Sequence, residues 1–141
     1  MDDELIKWCT LATRAASSRM TPQHLKALQD SVGQARCLPA RLAWDDKATA
    51  HAQIFSLLAD MITDRPVPAR LLGDAAGAVH DLMIAVGPAA DGIILSSRRR
   101  LLDLVRAGDA EGAAAEMEKH LHRLRFMWRV SRSSAPGGIA V

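Results

Sequence analysis

Basic residues are concentrated in the last third of the chain. Arginines fill positions 98 to 100, and a further series of cations comprises Lys119, Arg123, Arg125, Arg129 and Arg132. Clusters of this kind can bind the phosphates of nucleic acids. However, the formal net charge is only +2, and arginines spread around a helix are typical of a solvated surface. We therefore interpret these cations as exposed helix faces.

Pairs of titratable residues give no indication of a catalytic site. His120 and His122 are two residues apart, so on a helix they point to different sides, and at most one can line a buried site. Asp45 and Asp46 are adjacent, and a helix would also point their carboxylates apart. The chain has no Gly-rich phosphate loop, no Gly-x-Ser-x-Gly elbow and no His-Glu-x-x-His motif. We predict that the protein is not an enzyme.

The cysteines and the N-terminus indicate the compartment. Cys9 and Cys37 are too few for a disulfide framework and lack a metal-binding spacing, so we expect reduced thiols. The N-terminus, Met1-Asp2-Asp3-Glu4, is acidic where a signal peptide would be basic, and no apolar run is long enough to span a membrane. These features predict a cytoplasmic protein without a membrane partner.

The composition and the positions of proline and glycine predict helices. Tyrosine is absent and phenylalanine occurs twice, which leaves few of the residues that strands prefer. Apolar residues recur at steps of three and four between Pro and Gly positions. The predicted helices run from Asp3 to Ser17, from Pro22 to Arg36, from Pro39 to the residue before Arg65, from Pro66 or Pro68 to Val86, from Ala89 to Ala107, and from the N-cap Asp109 to Arg132.

These segments predict an all-α fold. About six amphipathic helices joined by short loops favour an antiparallel helical bundle, and no internal repeat indicates a solenoid. We expect residues 1–132 to form one domain and residues 133–141 to form a flexible C-terminal tail.

Several segments carry a family resemblance. The stretch from Leu101 to Ala114, with its Arg-Ala-Gly-Asp corner, is followed by Met117 and by His120-Leu121. It resembles the closing signature of the FadR C-terminal (FCD) ligand-binding domain of GntR-family transcription regulators. The segment from Ala15 to Pro22 is similar to the first corner of that family. Ala50-His51 with Ile54 stands where the family has a Phe-His motif.

The resemblance implies a sensory role. In this family, a helical bundle binds a small organic acid, often beside a divalent metal such as zinc or nickel, and also makes the homodimer contact. The bundle follows a winged helix-turn-helix, so we expect DNA binding only through an N-terminal domain that is not in this chain. The implied function is effector sensing and dimerisation for a bacterial transcription regulator.

The resemblance also assigns site positions. The four metal ligands of the family, carried over by position, fall on Lys47, His51, Arg98 and His120. Only His51 and His120 keep a metal-binding side chain, and the two cations disfavour a divalent ion. Asp46, after a one-residue shift of the third helix, and His80, from the fourth helix, are alternative ligands.

We expect the two cations to replace the charge of the metal. Lys47 and Arg98 would hold the carboxylate of an effector, with His51 and His120 as hydrogen-bond partners. In the alternative interpretation, the cations lie on a solvated face and the histidines belong to the core. The protein would then be a stand-alone helical dimerisation or interaction protein without a small-molecule ligand. An internal polar pocket would favour the sensor, and solid packing would favour the interaction protein.

Overall fold

The protein is an all-α bundle, as the sequence predicts. The computed structural model describes residues 1–62 and 69–133, and these residues form six α-helices, one short 3-10 helix and no strand. The α-helices are α1 (Asp3–Ser18), α2 (Pro22–Cys37), α3 (Trp44–Met61), α4 (Ala69–Val86), α5 (Asp91–Arg106) and α6 (Ala110–Ser133), and the 3-10 turn Pro88–Ala90 precedes α5.

Side-chain caps begin several helices. The Asp2 carboxylate accepts a hydrogen bond from the backbone N–H of Leu5 at the start of α1. Thr21 and His24 bond reciprocally at the start of α2, where the Thr21 hydroxyl accepts from the backbone of His24 and the His24 ring accepts from the backbone of Thr21. Asp109 caps α6, as its position after Gly108 predicts. These bonds satisfy N–H groups that the first helical turn leaves unpaired.

The third helix begins later than predicted. It starts at Trp44 instead of Pro39, because the intervening residues form a separate turn closed by a hydrogen bond of 3.0 Å from Ala43 N to Pro39 O. Ala43 then leaves the helical region, with φ −140° and ψ 45°. Leu42 is 89% exposed, so extending the helix across this turn would bury none of its apolar surface.

The fifth helix also begins later, at Asp91 instead of Ala89. Gly87 has φ +88°, a conformation that strongly favours glycine, and it turns the chain sharply after α4. The 3-10 turn then leads into α5. The predicted end of the third helix, the predicted start of the fourth at Pro66 or Pro68, and residues 134–141 of the predicted tail lie outside the described residues.

Ion pairs and apolar packing show how the helices run. Arg14 contacts Glu111, and Arg125 contacts Asp3, so opposite ends of α1 and α6 lie together and the two helices are antiparallel. The Trp44 indole at the start of α3 donates a hydrogen bond to a carbonyl near the end of α4, so α3 and α4 are also antiparallel. The largest fully buried apolar side chains of the core are Leu28, Phe55, Ile62, Leu72, Val79, Met83, Ile94, Met117, Leu121 and Leu124.

The length and composition of the helices bear on whether any of them could span a membrane. In the described part of the chain, no single helix is both long and apolar enough to cross one. Length and composition together would allow only one pair of helices, Leu71–Val86 with Pro88–Arg106, and these two are bent by 108° relative to each other.

Candidate functional site

Lys47 and His51 meet the carboxylate of Asp91 between α3 and the start of α5. Lys47 Nζ lies 3.1 Å from Asp91 Oδ2, and His51 Nε2 lies 3.1 Å from Asp91 Oδ1. Lys47 also donates a hydrogen bond of 2.7 Å to the carbonyl of Leu38. Both Lys47 and His51 are buried. Asp91 therefore neutralises Lys47 inside the bundle, where an unpaired ammonium would be costly.

The α3 helix positions this pair through one face. Trp44, Lys47 and His51 follow at steps of three and four residues, so their side chains lie above one another. The Trp44 ring stands 6.4 Å from the His51 ring, centroid to centroid, and its Nε1 donates to the carbonyl of Met83 at 2.9 Å. The indole thus fixes the start of α3 against α4 and packs beside His51.

Arg98 is a buried cation with no ion-pair partner among the described residues. Its side chain ranks among the largest fully buried ones, and its Nη2 donates a hydrogen bond of 3.1 Å to the carbonyl of His51. Burial lowers the pKa of Arg98 to about 10, and the charge of Glu116 acts in the opposite direction. The guanidinium therefore remains charged at neutral pH. A buried charge of this kind is unfavourable unless an anion pairs with it.

His120 is buried, and its ring makes no hydrogen bond to any described residue. Within residues 1–62 and 69–133, neither Nδ1 nor Nε2 of its ring has a partner. Burial holds the pKa of His120 well below its ordinary value of 6.5, and the nearby charge of Arg98 lowers it further. The ring is therefore neutral, with one N–H to donate and one nitrogen to accept. His122 is exposed, as expected from the two-residue spacing.

Glu116 is tied to Arg100 instead of Arg98. Ser97 Oγ donates to Glu116 Oε2 at 2.8 Å, and Arg100 Nε donates to Oε1 at 2.8 Å. Burial raises the pKa of Glu116, but the hydrogen bonds from Arg100 and Ser97 and the charge of Arg100 together bring it below its ordinary value. Glu116 is thus a satisfied anion that influences Arg98 only from a distance.

A small interior space lies beside His51 and Arg98, between α2, α3 and α5. It contains about 170 Å³ of empty volume, and none of that volume admits a water-sized sphere. Its other lining residues are Ser31, Val32, Ala35, Ala50 and Ile54. Polar groups thus reach this space, but a ligand could enter only if the helices moved apart.

Asp46 and His80, the alternative ligands, lie elsewhere. They line a surface groove of about 510 Å³ between α3 and α4, together with Thr49 and Gln53. His80 Nδ1 lies 3.5 Å from Asp81 Oδ1. The fold therefore brings Asp46 and His80 to one groove and groups Lys47, His51, Arg98 and His120 in the interior.

The interior residues do not fit a divalent metal. Across the described ranges, no three His, Cys, Asp or Glu side chains are grouped so that they could hold an ion. The oxygens of Asp91 already contact Lys47 and His51. The positive charges of Lys47 and Arg98 would also repel a divalent cation. The unpaired groups of this site are a cation and a neutral imidazole, which are side chains that can bind an anion.

Two residues of this cluster were absent from the sequence prediction. Asp91 precedes Arg98 by seven residues and Glu116 precedes His120 by four, so each shares a helix face with a predicted site residue. Inspection of positions one and two turns away from Arg98 and His120 would have identified both carboxylates. Their partners, Lys47 and Arg100, could not be assigned because those contacts join different helices.

Comparison with known proteins assigns the family. The family model described as the FCD domain matches residues 10–123, which is most of the chain. No curated protein and no solved structure matches the chain significantly. The matched region contains the whole interior cluster, from Lys47 on α3 to His120 on α6. On this match and on its helical fold, the chain belongs to the FCD domain family.

Proposed function

We propose that this domain senses a small organic acid by binding its carboxylate at Arg98 and His120. The observation that supports the proposal most strongly is the burial of Arg98 without an ion-pair partner among the described residues. A guanidinium matches a carboxylate through two parallel N–H donors, and the neutral His120 ring offers a further donor. FCD domains are regulatory ligand-binding domains, so membership supports a sensor more than a catalyst.

The effector would act by changing how helices pack. Arg98 lies on α5 and His120 on α6, while Arg98 also holds the backbone of α3 at His51. A carboxylate between them would bind most tightly to one arrangement of these helices, and would shift the population toward it. We propose that a homodimer transmits this shift to a DNA-binding winged helix-turn-helix outside the chain, which is the arrangement that GntR-family regulators imply.

A second function has one observation in its favour. The space beside Arg98 admits no water-sized sphere, as expected for a helical interaction protein that binds no small molecule. Such a protein would leave Arg98 and His120 without an anion. The cost of those two buried groups is why we favour the sensor.

Calorimetry with an uncharged variant of Arg98 tests the proposal. Monocarboxylates, dicarboxylates and fatty acyl derivatives are titrated into the wild type, Arg98→Met and Arg99→Met. Arg99 is the exposed neighbour of Arg98 and serves as the matched control. We expect at least one acid to bind the wild type and Arg99→Met equally, and to bind Arg98→Met about thirtyfold or more weakly, because a buried charge pair is lost.

The melting temperature without ligand is the second readout. Because Arg98 is a buried charge without a carboxylate partner, its replacement by methionine should leave the unliganded protein at least as stable as the wild type. An acid that binds Arg98→Met with unchanged affinity would contradict the proposed site. Failure of every acid to bind the wild type would favour the interaction protein.

A further inference from the structure

The charges of the interior cluster sum to a single unpaired cation. Lys47 is paired with Asp91, and Arg100 is paired with Glu116. Arg98 has no such partner in the described part of the chain, where its one hydrogen bond is to the uncharged carbonyl of His51. Each pair is electrically neutral, so the cluster can compensate one negative charge and no more.

The histidines do not change this sum. Burial lowers the pKa of His51 to about 4; the hydrogen bond that the ring donates to Asp91 opposes this shift, and the charge of Arg98 adds to it. Burial also lowers the pKa of His120. Both rings are neutral near pH 7, and they contribute hydrogen bonds but no charge.

Asp91 already occupies the position that a second carboxylate would need. It places one oxygen on Lys47 and the other on His51, so both groups that could receive a second anion are bound by the protein itself. Asp91 and Arg98 are seven residues apart on one face of α5, which is about 10 Å along the helix axis. An extended dicarboxylate could reach from Arg98 toward Lys47 only by displacing Asp91.

We infer that the site takes a monocarboxylate, and that Asp91 is the specificity-determining residue that excludes dicarboxylates. The inference rests on the proposed function, because it assumes that Arg98 binds the effector. Asp91 acts as an internal carboxylate for Lys47, and this leaves Arg98 for one external carboxylate. Removing the charge of Asp91 would make Lys47 a second anion-binding group in the same interior.

Acid pairs of matched chain length test the inference. Octanoate against suberate, and hexanoate against adipate, are titrated calorimetrically into the wild type and Asp91→Asn at neutral pH. We expect the wild type to bind each monocarboxylate about tenfold or more tightly than its dicarboxylate partner. In Asp91→Asn the order should reverse by a similar factor, because a freed, buried Lys47 gains a charged partner.

Two further variants serve as controls. The double variant Lys47→Gln with Asp91→Asn again leaves one cation, so it should restore the preference for monocarboxylates. Lys47→Gln alone leaves Asp91 as a buried anion, so every acid should bind about tenfold more weakly. This single variant keeps the test decisive if Asp91→Asn does not fold.

The outcomes separate the inference from the function on which it rests. A wild type that binds dicarboxylates more tightly, or an Asp91→Asn variant that keeps the wild-type ratio, would overturn the specificity assignment while leaving carboxylate sensing intact. Unchanged affinity in Lys47→Gln would overturn the assignment as well. If none of the four acids binds the wild type, both the proposed function and the inference fail.

Discussion

Arg98 and Lys47 stand at positions where the resemblance implies metal ligands, and the protein treats the two cations differently. Lys47 is neutralised by Asp91, whereas the one partner of Arg98 in the described ranges is the backbone carbonyl of His51. Two like charges introduced into one interior would repel, and Asp91 removes one of them. The site thereby keeps one uncompensated positive charge, that of Arg98. In a metal-binding arrangement, the metal ion would supply the positive charge instead.

The two buried histidines predict a pH-dependent stability. His51 and His120 both have folded-state pKa values below the ordinary 6.5, so the unfolded chain binds their protons more strongly. The free energy of unfolding should therefore fall as the pH drops below about 6.5, and for His51 the loss continues to its folded pKa of about 4. The contribution of His51 is about 3 kcal/mol. Urea unfolding at several pH values between these limits measures it.

His120→Gln and His122→Gln separate the buried ring from an exposed one. His120→Gln should flatten the decline of unfolding free energy with falling pH, because one proton is no longer taken up on unfolding. His122→Gln should follow the wild-type curve, since His122 is exposed. A wild-type curve in His120→Gln would show that the ring is not held neutral by burial.

At the scale of elements, the corner between α4 and α5 positions Asp91. Gly87 has φ +88°, so an alanine there is strained even though its Cβ would meet no atom within 4 Å. Its ψ of −174° places it in an extended region that is essentially restricted to glycine, so we expect Gly87→Ala to lower the free energy of unfolding by about 1–3 kcal/mol. Chemical denaturation measures the change.

Gly77 provides a matched control within α4. It has an open surrounding and no positive φ, so Gly77→Ala should instead raise the free energy of unfolding by up to about 1 kcal/mol through helix propensity. Two changes of the same sign would show that the conformation at Gly87 does not constrain this corner.

Sequence periodicity predicted which segments are helical better than it predicted the residues at which those helices begin. The cap at Asp109 could be assigned because it depends on neighbours within one turn. The late starts of α3 and α5 depend on where the chain must turn to pack, and Pro39 satisfied the local signal for a helix start. The pairing of Lys47 with Asp91 joins residues 44 positions apart in separate helices, and no local pattern encodes it.

At the scale of the molecule, the cluster links three helices of the bundle. Lys47 and His51 come from α3, Asp91 and Arg98 from α5, and His120 from α6. The space beside His51 and Arg98 is small, so binding there would be coupled to a rearrangement of helices. That coupling is what a sensory domain requires, because an effector shifts an equilibrium only through unequal affinity for two arrangements.

The most direct test of carboxylate binding by Arg98 is an experimental structure of the protein with a bound monocarboxylate. We predict that both carboxylate oxygens lie within hydrogen-bonding distance of the Arg98 guanidinium, that a His120 ring nitrogen contacts the ligand, and that Asp91 stays on Lys47. A carboxylate bound instead in the surface groove of Asp46 and His80, with Arg98 and His120 still without an anion, would contradict the account.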